Sequence, residues 1–595
     1  MTPGGADPVV RHGRLQAFWA ERRERWTLPL VIIVVIVVVA VVDHVGSHRI
    51  SEVDQPAVSQ LVTATGGSAV VDLGSMWDGF NPGTPGGASS STPALMAPVL
   101  PSAFTVDPKF GTVLNTALLR SVEVTSTTPL TVQYVLDPRA VWSDGVPVSA
   151  ADFIYAWQSQ RGGGVDVNGQ PDRIASTLGY RDIASVTGGD GGKTVTVVFA
   201  KPFTDWRLLF HQMVPAHIAE QVGWNRGFAT FDPSDVLSAG PYMLRSASPT
   251  GTALLVRNPR WWGPKAVLDR VIVHAAQPTA EWLAALSRSS QTAAEPAAFG
   301  SSTMNAVSSL PAVQSTVEPS ASFLQLEFDV TAPATSVTAV RQAIAHGIDR
   351  TALLAQTVGT IDPALVVDED HLAVPTQGAY AASSAASEYD KADPVATAKL
   401  LASAGYHRAP DGRSVDASGA PLVLRMAVES GDAWIPPVAA GLVAQLAAVG
   451  ITVVTVPVDG PAGLSAAAAT NSYDMALVTR TASAFPTEAA GWYSDSPGLA
   501  GSGPDGNWTN FDDPEVDQLF AQAAADLNPV TGATAYAQAD DQLWDQMVAL
   551  PLFGEPALVA NGVQLANVTY NPGADGLLWN LAEWTLLRPK GARPG

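Results

Sequence analysis

The chain has 595 residues with 33 basic and 55 acidic side chains, which gives a formal net charge of −22. Such an acidic chain lacks the basic surface that releases counterions from a polyanion, so we expect no nucleic-acid partner. It contains no cysteine, which excludes disulfides, cysteine-ligated metals, thiol catalysis and the acylated cysteine of a bacterial lipoprotein. The apolar content of 47% is typical of a folded protein. The length predicts about four domains, or two large ones.

The N-terminal residues differ from the rest of the chain. Residues 1–27 carry five arginines against three acidic side chains, and residues 28–42 are an unbroken apolar run. Fifteen helical residues span about 22 Å, short of a ~30 Å hydrocarbon core. Arginines before the run place the N-terminus in the cytoplasm and the bulk of the chain outside it. We interpret 1–27 as a cytoplasmic basic segment and 28–43 as a single-pass transmembrane signal anchor. A cleaved secretory signal is the alternative, although no clear A-x-A cleavage site follows.

Residues 44–65 are polar without a pattern, and we interpret them as a tether. Beyond them, β-branched runs predict strands at 194–199, 254–257 and 267–273. Capping residues and apolar spacing predict four helices. One follows Ser149, one spans Val337 to Ile348, and two start at Asp393–Pro394 and at Asp513–Pro514. These mixed units indicate a large α/β protein with more than one lobe.

Two stretches are rich in small residues, glycine or proline. We interpret residues 82–93 as a loop over a surface or cleft. We interpret residues 286–322 as a domain boundary or a poorly ordered insertion.

The sequence contains few residues in catalytic patterns. The nine histidines are scattered, without an H-E-x-x-H pair, and no G-x-S-x-G elbow occurs. The glycine-rich segment Gly188–Thr194 lies between two predicted strands, so we expect a hairpin turn there rather than a phosphate loop. The acidic segment Asp368–His371 could hold a cation, but its spacing does not suit a calcium loop, and we favour a solvated loop. We expect no enzyme activity, no cofactor and no metal site.

A large extracytoplasmic chain without catalytic residues suggests a binding protein, and its sixteen tryptophans could supply part of a binding surface. Most aromatic side chains lie in a protein's core, but aromatics that line a cleft supply apolar contact area with little loss of entropy.

Seven segments resemble, in the same order, motifs of one known family. They are residues 141–158, 239–263, 340–354, 393–406, 446–453, 472–478 and 511–520. The family is family 5 of the bacterial extracellular solute-binding proteins, which includes oligopeptide-, dipeptide- and nickel-binding proteins of ABC importers. The resemblance covers about residues 66–590. The proline- and alanine-rich, lysine-poor composition is similar to an actinobacterial, LpqW-like branch.

The resemblance implies the fold of large, peptide-binding periplasmic proteins, in which two α/β lobes close over a ligand like a flytrap. Lobe I is then expected at 66–275 with a return at 485–595, and lobe II at 276–484. The implied partners are a small-molecule or peptide ligand and an ABC permease. The LpqW-like branch implies an alternative, an envelope scaffold or regulator of the biosynthesis of mannosylated phosphatidylinositol lipoglycans without transport.

One departure from the family concerns ligand charge. Oligopeptide-binding relatives have an aspartate that pairs with the peptide's amino group, and an ungapped comparison places Ser483 there. A hydroxyl cannot supply that charge-assisted contact. Arg480, just before it, would meet either an anionic ligand group or an internal carboxylate. We expect Arg480→Ala to change ligand affinity more than stability.

We place the ligand site on two facing groups of residues and one wall residue. The first group is a loop, the second lies near the hinge, and the wall residue lies in a loop of lobe II. They are Asn81, Thr84 and Gly86; Arg480, Thr481, Ser483 and Phe485; and Trp434. For each there is a purely structural alternative, turn formation for the first three and core packing for the aromatic residues.

Overall fold

The computed structural model describes residues 61–64, 66–167, 169–430, 433–496 and 506–589. The chain divides into one unit of Met1–Val62 with Pro589–Gly595 and a second of Thr63–Arg588. The predicted basic segment, the anchor and the tether up to residue 60 lie outside the described residues. Within the described ranges, no helix is long and apolar enough to cross a membrane.

The strands are numbered in chain order. They are β1 (Leu61–Ala64), β2 (Ser68–Leu73), β3 (Phe104–Val106), β4 (Thr112–Leu114), β5 (Leu119–Thr127), β6 (Leu130–Leu136), β7 (Ile183–Gly189), β8 (Thr194–Phe199), β9 (Tyr242–Ser248), β10 (Thr252–Arg257), β11 (Arg270–Ala275), β12 (Thr292–Glu295), β13 (Val313–Phe328), β14 (His407–Arg408), β15 (Ser414–Val415), β16 (Val423–Glu429), β17 (Thr452–Val458), β18 (Met475–Thr481), β19 (Ala549–Gly562), β20 (Leu565–Ala566) and β21 (Thr585–Pro589).

The α-helices are numbered in the same way. They are α1 (Pro85–Ala88), α2 (Thr92–Met96), α3 (Ala150–Gln160), α4 (Ala216–Val222), α5 (Thr279–Arg288), α6 (Ser301–Ser308), α7 (Thr338–His346), α8 (Arg350–Gln356), α9 (Pro394–Ser403), α10 (Ile435–Ala448), α11 (Gly460–Ala469), α12 (Pro486–Ala490), α13 (Pro514–Ala525) and α14 (Pro529–Gln546).

Ten strands form one mixed sheet in the order β17-β16-β18-β13-β19-β12-β2-β11-β10-β9. Pairing is parallel between β16 and β17, β16 and β18, β2 and β11, and β2 and β12. It is antiparallel where β13 meets β18 and β19. A separate antiparallel sheet has the order β5-β6-β8-β7.

The two longest strands, β13 and β19, join two hydrophobic cores. The first core collects buried side chains from 69–293 and 559–586. The second core collects buried side chains from 282–477 and 544–560. We call the residues around the first core and those around the second core the two halves of the molecule. Because β13 and β19 are paired over most of their length and β19 contributes to both cores, this strand pair connects the two halves. The predicted lobe boundaries stay a prediction.

The pairing of β13 with β19 is interrupted near its middle. Pro319 lies opposite Pro556 and Phe323 opposite Gly554, so the register shifts between these positions. Proline has no amide hydrogen and cannot donate to the ladder, which accounts for a break at this point. Next to it, a third cluster contains Phe323 together with Leu372 and side chains from 482–549.

Local sequence signals are confirmed at several elements. Ser149 and Asp152 form a capping box at α3, and Asp393 and Asp513 cap helices that begin at the predicted prolines. The glycine-rich segment after Gly188 forms the predicted turn, since β7 and β8 pair antiparallel on either side of it.

Three local predictions are wrong or incomplete. Residues 286–322 are not a poorly ordered insertion, because they contain the end of α5, all of β12 and α6, and the start of β13. Residues 82–93 include the short helix α1 and the start of α2. Asp368–His371 is not a solvated loop: Asp368, Asp370 and His371 are buried. These secondary structures and the burial of the acidic segment depend on tertiary contacts, which local composition does not encode.

Candidate functional site

The three predicted loop residues line one polar cavity of about 160 Å³. Asn81 is buried, and its Nδ2 donates to the Trp224 carbonyl at 3.3 Å. Its Oδ1 accepts from the Gly83 amide at 3.0 Å. The Thr84 hydroxyl caps α1 by accepting from the Gly87 amide at 3.2 Å. These side chains therefore shape the loop as well as the cavity.

Gly86 allows the loop to pass close to Asp78. A Cβ at this position would lie 1.9 Å from Asp78 Oδ2, so glycine leaves room for that carboxylate. Asp78 and the exposed Arg173 also line the cavity. All its lining residues lie between residues 78 and 229, so it belongs to one half of the molecule.

Arg480 meets an internal carboxylate. Its Nε and one terminal nitrogen donate to the two oxygens of Glu327 at 2.7 and 3.0 Å. Arg480 is 1% exposed, and its guanidinium carbon lies 4.0 Å from the ring centroid of Trp508. The other terminal nitrogen has no hydrogen-bond partner within the described ranges. Of the two partners weighed for Arg480, the structure contains the carboxylate.

The residues after Arg480 have mixed surroundings. Thr481 ends β18 and is exposed, with its hydroxyl 3.5 Å from that of Ser322. The Ser483 hydroxyl accepts from the Phe485 amide at 3.2 Å. Phe485 is buried directly before α12. These three positions form a polar turn that leads into a short helix.

Trp434 packs as a core residue. It is buried in the second core before α10, and its ring meets Phe299 edge-on at 5.8 Å. Among the described residues, no hydrogen bond or salt bridge joins the 81–86 loop to the 480–485 segment. The assignment of all eight residues to the ligand site stays a prediction.

A polar cluster at the start of α12 was missed by the sequence analysis. The Thr487 amide donates to Asp205 Oδ2 at 3.2 Å. Its hydroxyl donates to the same oxygen and lies 2.9 Å from the Tyr536 hydroxyl. Asp205 lies between Phe203 and Trp206 of the first core. The cluster thus joins segments that lie 282 positions apart in the chain, a separation that no local motif reveals.

Glu488 and His211 extend this cluster. Burial raises the pKa of Glu488, against a lowering effect of its hydrogen bond with Ser483. Burial alone would lower the pKa of His211, but Asp575, 3.1 Å away, and Glu488 together raise it. The neighbouring carboxylates therefore favour the protonated imidazole of His211, and burial favours the neutral carboxyl of Glu488.

Comparison with known proteins identifies the class. Residues 114–501 match the family of bacterial extracellular solute-binding proteins, family 5, middle region. The chain therefore belongs to family 5 of the bacterial extracellular solute-binding proteins, and the resemblance seen in the sequence is confirmed.

Individual relatives differ in what they bind. The oligopeptide-binding protein OppA of Mycobacterium tuberculosis is 30% identical over 505 residues, which cover 82% of this chain and 80% of that protein. The probable monoacyl phosphatidylinositol tetramannoside-binding protein LpqW of the same species is 31% identical over 311 residues, 51% of this chain and 47% of that protein. The solved structure of the periplasmic EDTA-binding protein EppA matches with a TM-score of 0.80 and 27% identity, covering 88% of this chain and 97% of that one. These similarities confirm the two-lobed α/β fold and the LpqW-like branch.

Proposed function

We propose that this chain is the extracytoplasmic receptor of an ABC importer, which binds a peptide-like or other small polar solute by closure of its two lobes. Family membership supports a solute-binding role. The observation that carries the proposal is the connection of two hydrophobic cores by the β13–β19 pair. Binding energy would shift an equilibrium between open and closed forms, and a permease would recognise the closed form.

The proposed ligand site combines the predicted residues with the cluster at α12. Asn81, Thr84 and Gly86 would contribute polar backbone and side-chain groups from one half. Thr481 and Ser483 would contribute hydroxyls near the other wall, and Glu488 and His211 would contribute charges. Arg480 and Trp434 would act by holding the surrounding framework, since both are buried against other side chains.

We propose no reaction at this site. The role is capture and release, and the acidic and hydroxyl groups would position a solute without covalent change. The apolar segment 28–43 would hold the receptor at the membrane in a single pass, with the bulk of the chain outside the cytoplasm.

The alternative is an envelope scaffold or regulator of lipoglycan assembly. The similarity to LpqW over 311 residues favours it. In that case the two-lobed fold would present a protein-binding surface, or hold a mannosylated lipid headgroup, without passing it to a permease.

Native mass spectrometry of the purified full-length chain, released from detergent, tests the proposal. A receptor is expected to retain a small polar molecule or peptide, whose mass is lost on mild activation. Retention of a mannosylated phospholipid, or co-purification with glycolipid enzymes and no permease, would favour the regulator. A chain that carries no small molecule and binds none from a peptide mixture would contradict the receptor.

A further inference from the structure

One face of the ten-stranded sheet carries apolar side chains that point away from the core. The strands β2, β11, β10 and β9 lie side by side at one end of this sheet. Residues directly opposite each other on paired strands share a face. Leu254 lies opposite Ile272, and Ile272 lies opposite Val70. Val256, two positions after Leu254, lies opposite Met243. We call these five side chains the outer face.

The opposite side of the same strands is packed into the first core. Its side chains are fully buried and include Val71, Ala253, Leu255, Val271 and Val273. The five side chains of the outer face are half-buried. Within the described ranges, none of them belongs to the four hydrophobic clusters or packs against one. A sheet with one face in the core and one in water normally has polar outer residues, so apolar side chains in these positions indicate a contact surface.

Basic side chains surround the outer face. Arg270 lies opposite Val256, and Arg245 lies at the register shift between β9 and β10. Arg260 and Lys265 lie on the turn from β10 to β11, and all four basic residues are exposed. In the part of the chain that the structure describes, these four form no salt bridge, whereas the neighbouring Arg257 and Asp269 are paired at 2.6 Å.

The charge of this region is opposite to that of the whole chain. Residues 242–275 contain five basic side chains and one acidic side chain, in a chain with 33 basic and 55 acidic ones. Asp72, in the next row of the outer face, is 5% exposed, and burial raises its pKa. An anionic surface is repelled by the acidic remainder of the protein, so it would meet the molecule at this basic region.

Two tryptophans lie on the same turn as Arg260 and Lys265. Trp261 and Trp262 are half-buried, and their ring centroids are 4.6 Å apart. Indole rings, with an apolar body and one N–H donor, are enriched where a membrane meets water. Basic, aromatic and aliphatic side chains on one surface are the combination that favours an anionic lipid surface over a soluble anion.

The course of the chain allows this region to reach a membrane. The Gly66 amide donates to the Val267 carbonyl at 2.9 Å, so the chain enters the sheet beside the start of β11. Residues 44–60 separate the predicted anchor from β1. A chain of that length spans at most about 60 Å, whereas a compact domain of roughly 530 residues has a radius of gyration of about 24 Å. The outer face can therefore contact the bilayer that holds the anchor.

We propose that the outer face and the turn beside it are a contact surface for an anionic phospholipid bilayer. Arg245, Arg260, Lys265 and Arg270 bind lipid phosphates, and the apolar side chains and the two tryptophans lie at the level of the headgroups. This contact fixes which side of the protein faces the membrane. The inference rests on the membrane-anchored location in the proposed function and does not depend on the identity of the solute.

Single-cysteine labelling tests the contact, because the natural chain has no cysteine. The full-length chain is reconstituted into nanodiscs of phosphatidylcholine, alone or mixed with phosphatidylglycerol. A fluorophore is attached at Ser246→Cys, an exposed position opposite Leu254, or at the exposed control position Ser418→Cys in the second half. A lipid with a spin-labelled headgroup is expected to quench the first fluorophore at least about threefold more than the second, only in the anionic nanodiscs, and less at high salt.

Charge reversal separates this contact from simple proximity to the anchor. Arg245→Glu combined with Arg270→Glu should weaken the contact at least about tenfold and reduce the quenching at Ser246→Cys to the level of the control position. The matched control is Lys391→Glu combined with Lys399→Glu, at two exposed positions in the second half. That variant should retain the full quenching.

Three results would overturn the proposal. They are equal quenching at the two labelled positions, equal quenching in neutral and anionic nanodiscs, and an equal effect of the two charge-reversal variants. Protection of the Ser246→Cys fluorophore from iodide, in detergent as well as in nanodiscs and without lipid quenching, would show that protein covers the outer face and would also reject the lipid contact. If the Arg245 and Arg270 variant fails to fold, as judged by circular dichroism, the salt dependence in the wild-type background decides.

Failure of this proposal is distinguishable from failure of the proposed function. A chain that stays with the nanodiscs without quenching at Ser246→Cys rejects the lipid contact and leaves the anchored receptor intact. A chain that stays with neither kind of nanodisc rejects both the anchor and the lipid contact. Solute capture is measured separately by native mass spectrometry, and its absence would reject the receptor alone.

Discussion

At the residue scale, the contribution of an ion pair to stability depends on how deeply the pair is buried. Arg480 and Glu327 are both almost fully buried and form two parallel hydrogen bonds. Arg413 and Asp411 form a similar short contact on an exposed surface. Desolvation makes the first pair sensitive to the loss of either partner, whereas solvent screens the second.

The buried pair changes the expectation for Arg480→Ala. Removal of the guanidinium leaves the Glu327 carboxylate buried without a cation, so we expect a loss of roughly 3–5 kcal/mol in the free energy of unfolding. Urea unfolding followed by circular dichroism measures it, and Arg413→Ala is the control with a smaller effect. The double variant Arg480→Met with Glu327→Leu should recover part of the loss. A single variant of wild-type stability with weakened ligand binding would instead support a direct ligand role.

Glu295 predicts a dependence of stability on pH. Burial raises its pKa from 4.5 to about 7, although its Oε2 accepts from the Leu577 amide. The folded state therefore binds the proton more tightly between pH 4.5 and 7, and the free energy of unfolding falls as pH rises through this window. Because Glu295 is only half-buried, we expect a fall of about 1–2 kcal/mol.

Glu295→Gln should flatten this dependence and exceed the wild type in stability at pH 8. Denaturant unfolding at pH 5, 6, 7 and 8 measures the slope. Glu220→Gln, at an exposed position on α4, is the control. An unchanged slope in Glu295→Gln would assign the dependence to other buried acids, of which Asp370 has a pKa shifted in the same direction.

At the element scale, β19 combines a close backbone approach with a loosely packed position. At Gly562 a Cβ would lie 2.4 Å from backbone atoms of Ser290. At Gly554 the nearest atoms would be 3.8 Å away. Backbone atoms cannot rotate aside as the end of a side chain can, so the two glycines of one strand differ in how they tolerate a methyl group.

Gly562→Ala is therefore expected to cost about 1–3 kcal/mol in the free energy of unfolding. Gly554→Ala, on the same strand, should change it by less than about 0.5 kcal/mol. Thermal and denaturant unfolding of both variants gives the comparison. Equal tolerance of the two substitutions would show that the segment at Ser290 moves freely away from β19.

At the scale of the whole molecule, two kinds of contact join distant parts of the chain. The β13–β19 pair is continuous backbone structure apart from two register shifts. The cluster of Asp205, Thr487 and Tyr536 consists of side-chain hydrogen bonds. Side-chain contacts break at lower cost than a strand pair, so local opening is expected at this cluster before the strand pair separates.

Thr487→Val removes two hydroxyl hydrogen bonds while keeping the shape of the side chain. We expect hydrogen exchange at the amides of Thr204 and Thr487 to accelerate about fivefold or more, because both amides bond across this region. Thr534→Val on α14 is the control, since its hydroxyl bonds only within its own helix. Equal exchange rates in both variants would show that the cluster does not hold these segments together.

The sequence by itself determined the local elements and the family. Capping residues fixed the starts of α3, α9 and α13, because a cap depends on residues within one turn of the helix. Seven short motifs in order were sufficient to recognise the solute-binding class, since they lie within single strands, turns and helices.

The tertiary structure decided which groups are buried and which meet. Three features depend on contacts between residues more than 150 positions apart. They are the pairing of Arg480 with Glu327, the burial of Asp368–His371 and the contact of Asp205 with Thr487. Sequence patterns report a residue's neighbours along the chain, whereas desolvation and charge pairing depend on neighbours in space. The surroundings of the predicted ligand residues therefore became visible only in the folded chain.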